Sequence, residues 1–180
     1  MTREKLAWLF VIVWVMLIFA SIPTARGIQA FVAATCGRQF FTIAVFSVLA
    51  AFGALALRHI KQQSKRLASL VWLCLLVGIY AVWTYRLRGN PEESVHFVEY
   101  GVLSALLFTA LSFRIRNSLV YVLAFLIASI VGGLDEAVQR ITPNRVFDYR
   151  DIGFNAAAVL LAQIAIATVV RPSFISKQPV

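Results

Sequence analysis

Residues 90–108 read NPEESVHFVEYGVLSALLF: three glutamates and a histidine fall within the first ten positions, and the nine that follow carry no charge. The uncharged run continues to Phe113, so Val95–Phe113 has the length that crosses a bilayer as helix, about 17 to 25 residues. Reading this stretch as a membrane span with a polar mouth decides the fold, because runs of similar length recur along the chain. They are Leu6–Ile22, Phe40–Leu57, Leu67–Tyr85, Ser118–Leu134 and Ile152–Val170. The expectation is an all-α polytopic membrane helix bundle of about six transmembrane helices, a single integral membrane domain over 1–180.

Composition agrees. The chain is 61% hydrophobic and 14% charged, with mean hydropathy +0.82, a balance that polar surface could not cover in a soluble domain of this size. The connections are too short for an independent core, so function must be built from helix ends, loops and the bundle interior. The opening MTREK and apolar run resemble a signal peptide, but the run is long and SIPTARG lacks paired small residues at cleavage spacing; an uncleaved anchor is expected. Cys36 in a loop and Cys74 in a span argue for neither a disulfide framework nor a thiolate metal site.

Six spans place the N-terminus, the loop RHIKQQSKR, the turn RIRN and the C-terminal tail on one side. That side carries ten of the seventeen basic residues, all four lysines among them, and only one acid, Glu4. By the positive-inside rule it is cytoplasmic, with both termini there, in a multi-pass protein of the cell membrane. The other side balances seven arginines against seven acids. The net charge of +9 therefore faces the inner leaflet, where anionic membrane lipids account for it and no nucleic acid is needed.

On a helix, Glu92, His96, Glu99 and Leu103 share one face, with Glu93 and Tyr100 to one side. Glu99 would lie about 6 Å below the start of its span, where an unpartnered carboxylate costs several kcal/mol. The fifth span ends GGLDEAVQRITPNR, with Asp135 and Gln139 on one face and Glu136 offset; Pro143 disfavours helix at Thr142. The sixth begins with Asp148, Asp151 and Asn155 at i, i+3 and i+7, and Asp148 is also placed to cap the helix. Arg140, Arg145 and Arg150 are near enough in sequence to neutralise some of these acids. Singly, such residues cap helices or bond neighbouring ones; together, ionisable groups reaching into a membrane mark a site. Trp8, Trp72, Trp83 and Tyr85 read as belt or core aromatics, and His59, in a basic loop, as a solvated residue.

HFVEYGVL, followed by DEAVQ, TPNR and DYRDIGFN, resembles the pattern of VanZ-like membrane proteins over residues 90–160. The matching positions are His96, Tyr100, Asp135, Glu136, Gln139, Pro143, Arg145, Asp151 and Asn155. Glu92-Glu93 stands where the family commonly has Asp-Lys, which removes a cation, and Ala158 stands where it usually has glycine. The resemblance implies an envelope-related role, in a family named for resistance to the glycopeptide antibiotic teicoplanin. The N-terminal spans carry no motif.

Two functions follow. One is a binding or modulating protein whose outward-facing pocket recognises a lipid headgroup, an envelope precursor or a lipophilic antibiotic, with carboxylates and arginines contacting it in pairs. The other is a hydrolase or transferase acting on a lipid-linked substrate, with His96, Glu99 and Asp135 or Glu136 as acid and base or as ligands to a divalent metal; whether any metal or cofactor is bound stays open. Transport fits less well, since the cytoplasmic halves of the spans read as nearly free of polar residues.

Overall fold

In the computed structural model every apolar run is helical. The structure describes residues 1–63, 65–87, 91–143 and 147–176, without the side chains of residues 91–94 and 176. The helices are α1 (Arg3–Ser21), α2 (Ala25–Cys36), α3 (Gln39–Ile60), α4 (Arg66–Arg86), α5 (Pro91–Leu111), α6 (Leu119–Ile141), α7 (Tyr149–Ala165) and α8 (Ser173–Ser176). A π-helical turn, Ile166–Val170, extends α7. Five helices, α1, α3, α4, α6 and α7 with its π turn, are long and apolar enough to cross a membrane, and α5 adds the shorter apolar run Val95–Leu111. This is a multi-pass helical membrane bundle. Large apolar side chains such as Phe10, Met16, Phe52, Leu67 and Ile130 face outward, where lipid is their solvent.

α5 is the hub, packed against α1, α3, α6 and α7. Its inner face buries Phe97, Tyr100, Leu103, Leu107 and Ala110. α6 meets it with Val120, Ala124, Ala128 and Gly132, one residue per turn and all small. In lipid, where apolar transfer does not drive helices together, such a stripe lets backbones approach closely enough for dispersion contacts. The same face of α6 continues upward as Asp135, Glu136 and Gln139, so it changes from small and apolar to polar at one end of the bundle. Thr142 ends α6 in extended backbone (φ −89°, ψ 127°), as the following Pro143 requires.

The segment 23–39, expected as a loop, instead holds α2. Its partly buried side is Ala25, Gln29, Val32 and Ala33, while Ile28 and Phe31 point away. A short amphipathic helix at the end of a span belongs in the bilayer interface, where a loop would leave Ile28 and Phe31 in water. Gly37, at φ 81°, ends it in a conformation that costs other residues a Cβ clash.

At the basic face, two features depart from the sequence reading. His59 is tied to the bundle: its Nε2 lies 2.9 Å from the Val170 carbonyl. The membrane half on this side also holds polar bonds. Gln63 Nε2 donates to Val169 O (2.7 Å), and Ser69 Oγ lies 3.0 Å from Thr168 O and 2.8 Å from Gln63 Oε1. These bonds satisfy carbonyls at the end of α7, which has no further turn to receive them. Higher up, Gln163 donates to Ser104 Oγ (2.7 Å), and Ser104 donates to Val159 O (3.2 Å), pinning α7 to α5. Glu4, the one acid on this face, accepts from Arg114 Nε at 2.6 Å and holds that guanidinium's pKa above its ordinary value.

Candidate functional site

The ends of α5, α6 and α7 meet at the face opposite the basic one. Tyr100, expected at the side of the polar stripe, is at its centre: it is fully buried, and its hydroxyl donates to Asp135 Oδ2 at 2.7 Å. Asp135 is 1% exposed, and its Oδ1 has no hydrogen-bond partner. One position on, Glu136 is fully buried and accepts from Gln139 Nε2 at 3.0 Å through Oε1, leaving Oε2 without a partner. The 100° offset between Asp135 and Glu136 does not put either in solvent, because α5 covers one and the start of α7 the other. Asn155, on α7, is 1% exposed with both amide atoms unpartnered.

Gly132 makes this convergence possible. A Cβ there would meet the Asn155 Cβ at 3.0 Å and a Tyr100 ring carbon at 3.3 Å, so any larger residue would require these neighbours to give by a few tenths of an ångström. Beside the cluster, Trp83, Phe97 and Phe154 form an apolar wall, with ring centroids 5.0 to 6.0 Å apart.

His96 and Glu99 stand at the open edge, 20% and 27% exposed, with Nδ1 and Oε2 3.1 Å apart. The Glu99 backbone carbonyl accepts from Trp14 Nε1 at 3.0 Å, which fastens α1 beside the pair. A cavity of about 40 Å³ lies there, lined by Val95, His96, Glu99 and Asp135 on one side and by Ile18, Ser21, Ile22, Ala25 and Gln29 on the other. The N-terminal segment, without a motif of its own, thus supplies half the wall. Sequence reasoning missed Trp14, Ser21 and Gln29 because nothing in their spacing distinguishes them from ordinary span and connection residues. The amphipathic pattern of α2 was the one available signal.

The remaining sequence candidates lie elsewhere. Asp148 is the N-cap of α7, accepting from the Arg150 amide (2.8 Å) and from Arg150 Nε (3.2 Å). Those bonds, the amide first, hold its carboxyl below the usual pKa, and its backbone lies beside Glu136. Of the arginines expected to neutralise some of these acids, Arg150 pairs with Asp148, while Arg140 lies over the Phe147 ring at 5.8 Å. Asp151, in the first turn of α7, is within electrostatic reach of Glu136 and His96. Arg145 and the side chain of Glu92 lie outside the described residues. Among the described residues no three of His, Cys, Asp and Glu gather closely enough to ligate a metal ion, so the metal version of the site lacks a donor set there.

The arrangement is rich in acceptors. Buried carboxylate and amide oxygens without donors cost free energy unless water or a ligand supplies the missing bonds. No protein-family model, curated protein or solved structure matches the chain.

Proposed function

We propose that this chain is a cell-envelope membrane protein of the VanZ-like type. Its acidic face is turned outward from the cell membrane, and the pocket there binds or modulates a lipid headgroup or envelope precursor. The observation that carries the reading is Asp135: nearly inaccessible, bonded to Tyr100 through one oxygen, it lines a cavity with the other oxygen unpartnered. A membrane-embedded carboxylate in that state is a functional group by default. The cavity's size narrows the ligand. About 40 Å³ holds roughly three water-sized groups, since one needs about 10–15 Å³. It seats the tip of a headgroup, and a lipophilic glycopeptide-type antibiotic could enter only by one substituent.

Native mass spectrometry of the wild type beside a His96→Ala, Asp135→Asn double variant tests this. The expected result is a lipid or precursor retained by the wild type and lost from the variant; identical spectra at equal protein levels refute it.

A second reading is favoured by one contact. His96 and Glu99 form a pair at 3.1 Å on the same cavity, which suits proton transfer in a hydrolase or transferase acting on a lipid-linked substrate. Turnover of an envelope lipid that disappears in Glu99→Gln would establish it, and no turnover across a panel of such lipids would remove it.

A further inference from the structure

The nature of the group this pocket accepts follows from its two walls, on the headgroup-binding reading above. One side is acidic. Glu99 and the unpartnered Oδ1 of Asp135 present acceptors. A phosphate brought there would meet two carboxyl groups, with the His96 imidazole already paired to Glu99 and Arg140 and Arg150 engaged elsewhere. The other side sets apolar Ile18, Ile22 and Ala25 beside Ser21 and Gln29, with Val95 adding a further apolar contact. From these features we infer that the pocket takes a primary ammonium on a short alkyl stem, the aminoethyl end of an aminophospholipid or of an amine-bearing soluble molecule.

Three features of such a group match the site. An ammonium has three N–H donors and no acceptor, which suits oxygens that lack donors. Charge-assisted hydrogen bonds from an ammonium to carboxylate oxygens are about twice as strong as neutral ones, and a dry site strengthens them further. One nitrogen and two methylenes are three heavy atoms, the number that about 40 Å³ accommodates at roughly 10–15 Å³ each. The methylenes then lie against Ile18, Ile22 and Val95. A trimethylammonium group has no N–H to donate and turns methyls toward oxygens that lack donors. A glycerol headgroup brings hydroxyls but no charge.

The test uses the full chain in detergent with phosphatidylethanolamine, phosphatidylcholine and phosphatidylglycerol of identical acyl chains, read by native mass spectrometry. Free ethanolamine and choline at millimolar concentration are compared by thermal unfolding. Retention of phosphatidylethanolamine at least tenfold above the other two lipids, abolished by Glu99→Gln, is the expected result and identifies a lipid source. A higher unfolding temperature with ethanolamine but not choline, without lipid selectivity, supports the same chemistry from a soluble source. Equal retention of all three lipids with no response to ethanolamine overturns the ammonium assignment. If the His96→Ala, Asp135→Asn variant strips lipid in that case, headgroup binding survives with another chemistry; if it does not, both fall. The wild-type comparison decides the matter even if a variant fails to fold.

Discussion

The Tyr100 hydroxyl is the only hydrogen-bond donor among the described residues that the structure gives to Asp135 Oδ2. Replacing it by phenylalanine removes this bond from a buried carboxyl, which costs about 1–3 kcal/mol. Tyr100→Phe should therefore lower resistance to unfolding by that amount, measured by equilibrium unfolding in mixed micelles. A double-mutant cycle with Asp135→Leu should recover much of it, because removing both partners removes the unmet bond. At Asp148 the argument concerns pH. Its carboxyl is held below the ordinary value of 3.8 by bonds formed only when it caps α7, so the cap stabilises the helix start above that pH. Below it, protonation removes the contribution as pH falls through the lower folded value. The protection factor of the Arg150 amide, its exchange rate relative to the intrinsic rate at each pH, should fall over that acid window, and Asp148→Ala should show the lower protection already at neutral pH with no further fall.

At the scale of elements, Gly132 and Gly133 form a natural contrast. Both sit on α6, but a Cβ at Gly132 runs into Asn155 and Tyr100, whereas at Gly133 it meets nothing within 4 Å. Gly132→Ala should destabilise by about 1–3 kcal/mol, the usual cost of overpacking, and disturb ligand retention with it. Gly133→Ala should be neutral or stabilising by up to about 1 kcal/mol from helix propensity. Unfolding of the two variants side by side checks both. The join between α5 and α7 is testable in the same way. Gln163→Leu removes a bond to Ser104 worth about 0.6–2 kcal/mol in a bilayer, and should loosen the bundle with a smaller effect on the pocket, whose Glu99 lies on the same helix as Ser104. Much at this scale was legible beforehand: the apolar runs, the end of α6 before Pro143 and the cap at Asp148 follow from local rules. α2 was not, because twelve residues of modest apolarity read as a connection until their two faces are seen against bilayer and bundle.

For the whole molecule, the two free cysteines report topology. Cys36 is exposed at the end of α2 on the acidic side, and Cys74 faces outward from the middle of α4. If the basic face is cytoplasmic, a membrane-impermeant maleimide added to intact cells should label Cys36 and leave Cys74 unlabelled in the bilayer. Labelling of Cys36 only after permeabilisation would invert the molecule and place the pocket inside. Charge and hydropathy alone determined that this chain is a membrane bundle, which loops share a face, and that His96, Glu99, Asp135, Glu136 and Asn155 fall at one end of it. These follow from the bilayer's thickness and the cost of exposing backbone and charge to hydrocarbon, rules that act on local stretches of chain. Only the tertiary structure decided that Tyr100 bonds Asp135, that Arg150 pairs with Asp148 while Arg140 lies over Phe147, and that Ser21 and Gln29 close the cavity from the other side. Those outcomes depend on how α1, α2, α5, α6 and α7 approach one another. The approach is set by side-chain volume across interfaces, above all by the space left at Gly132, and no single helix's sequence contains it.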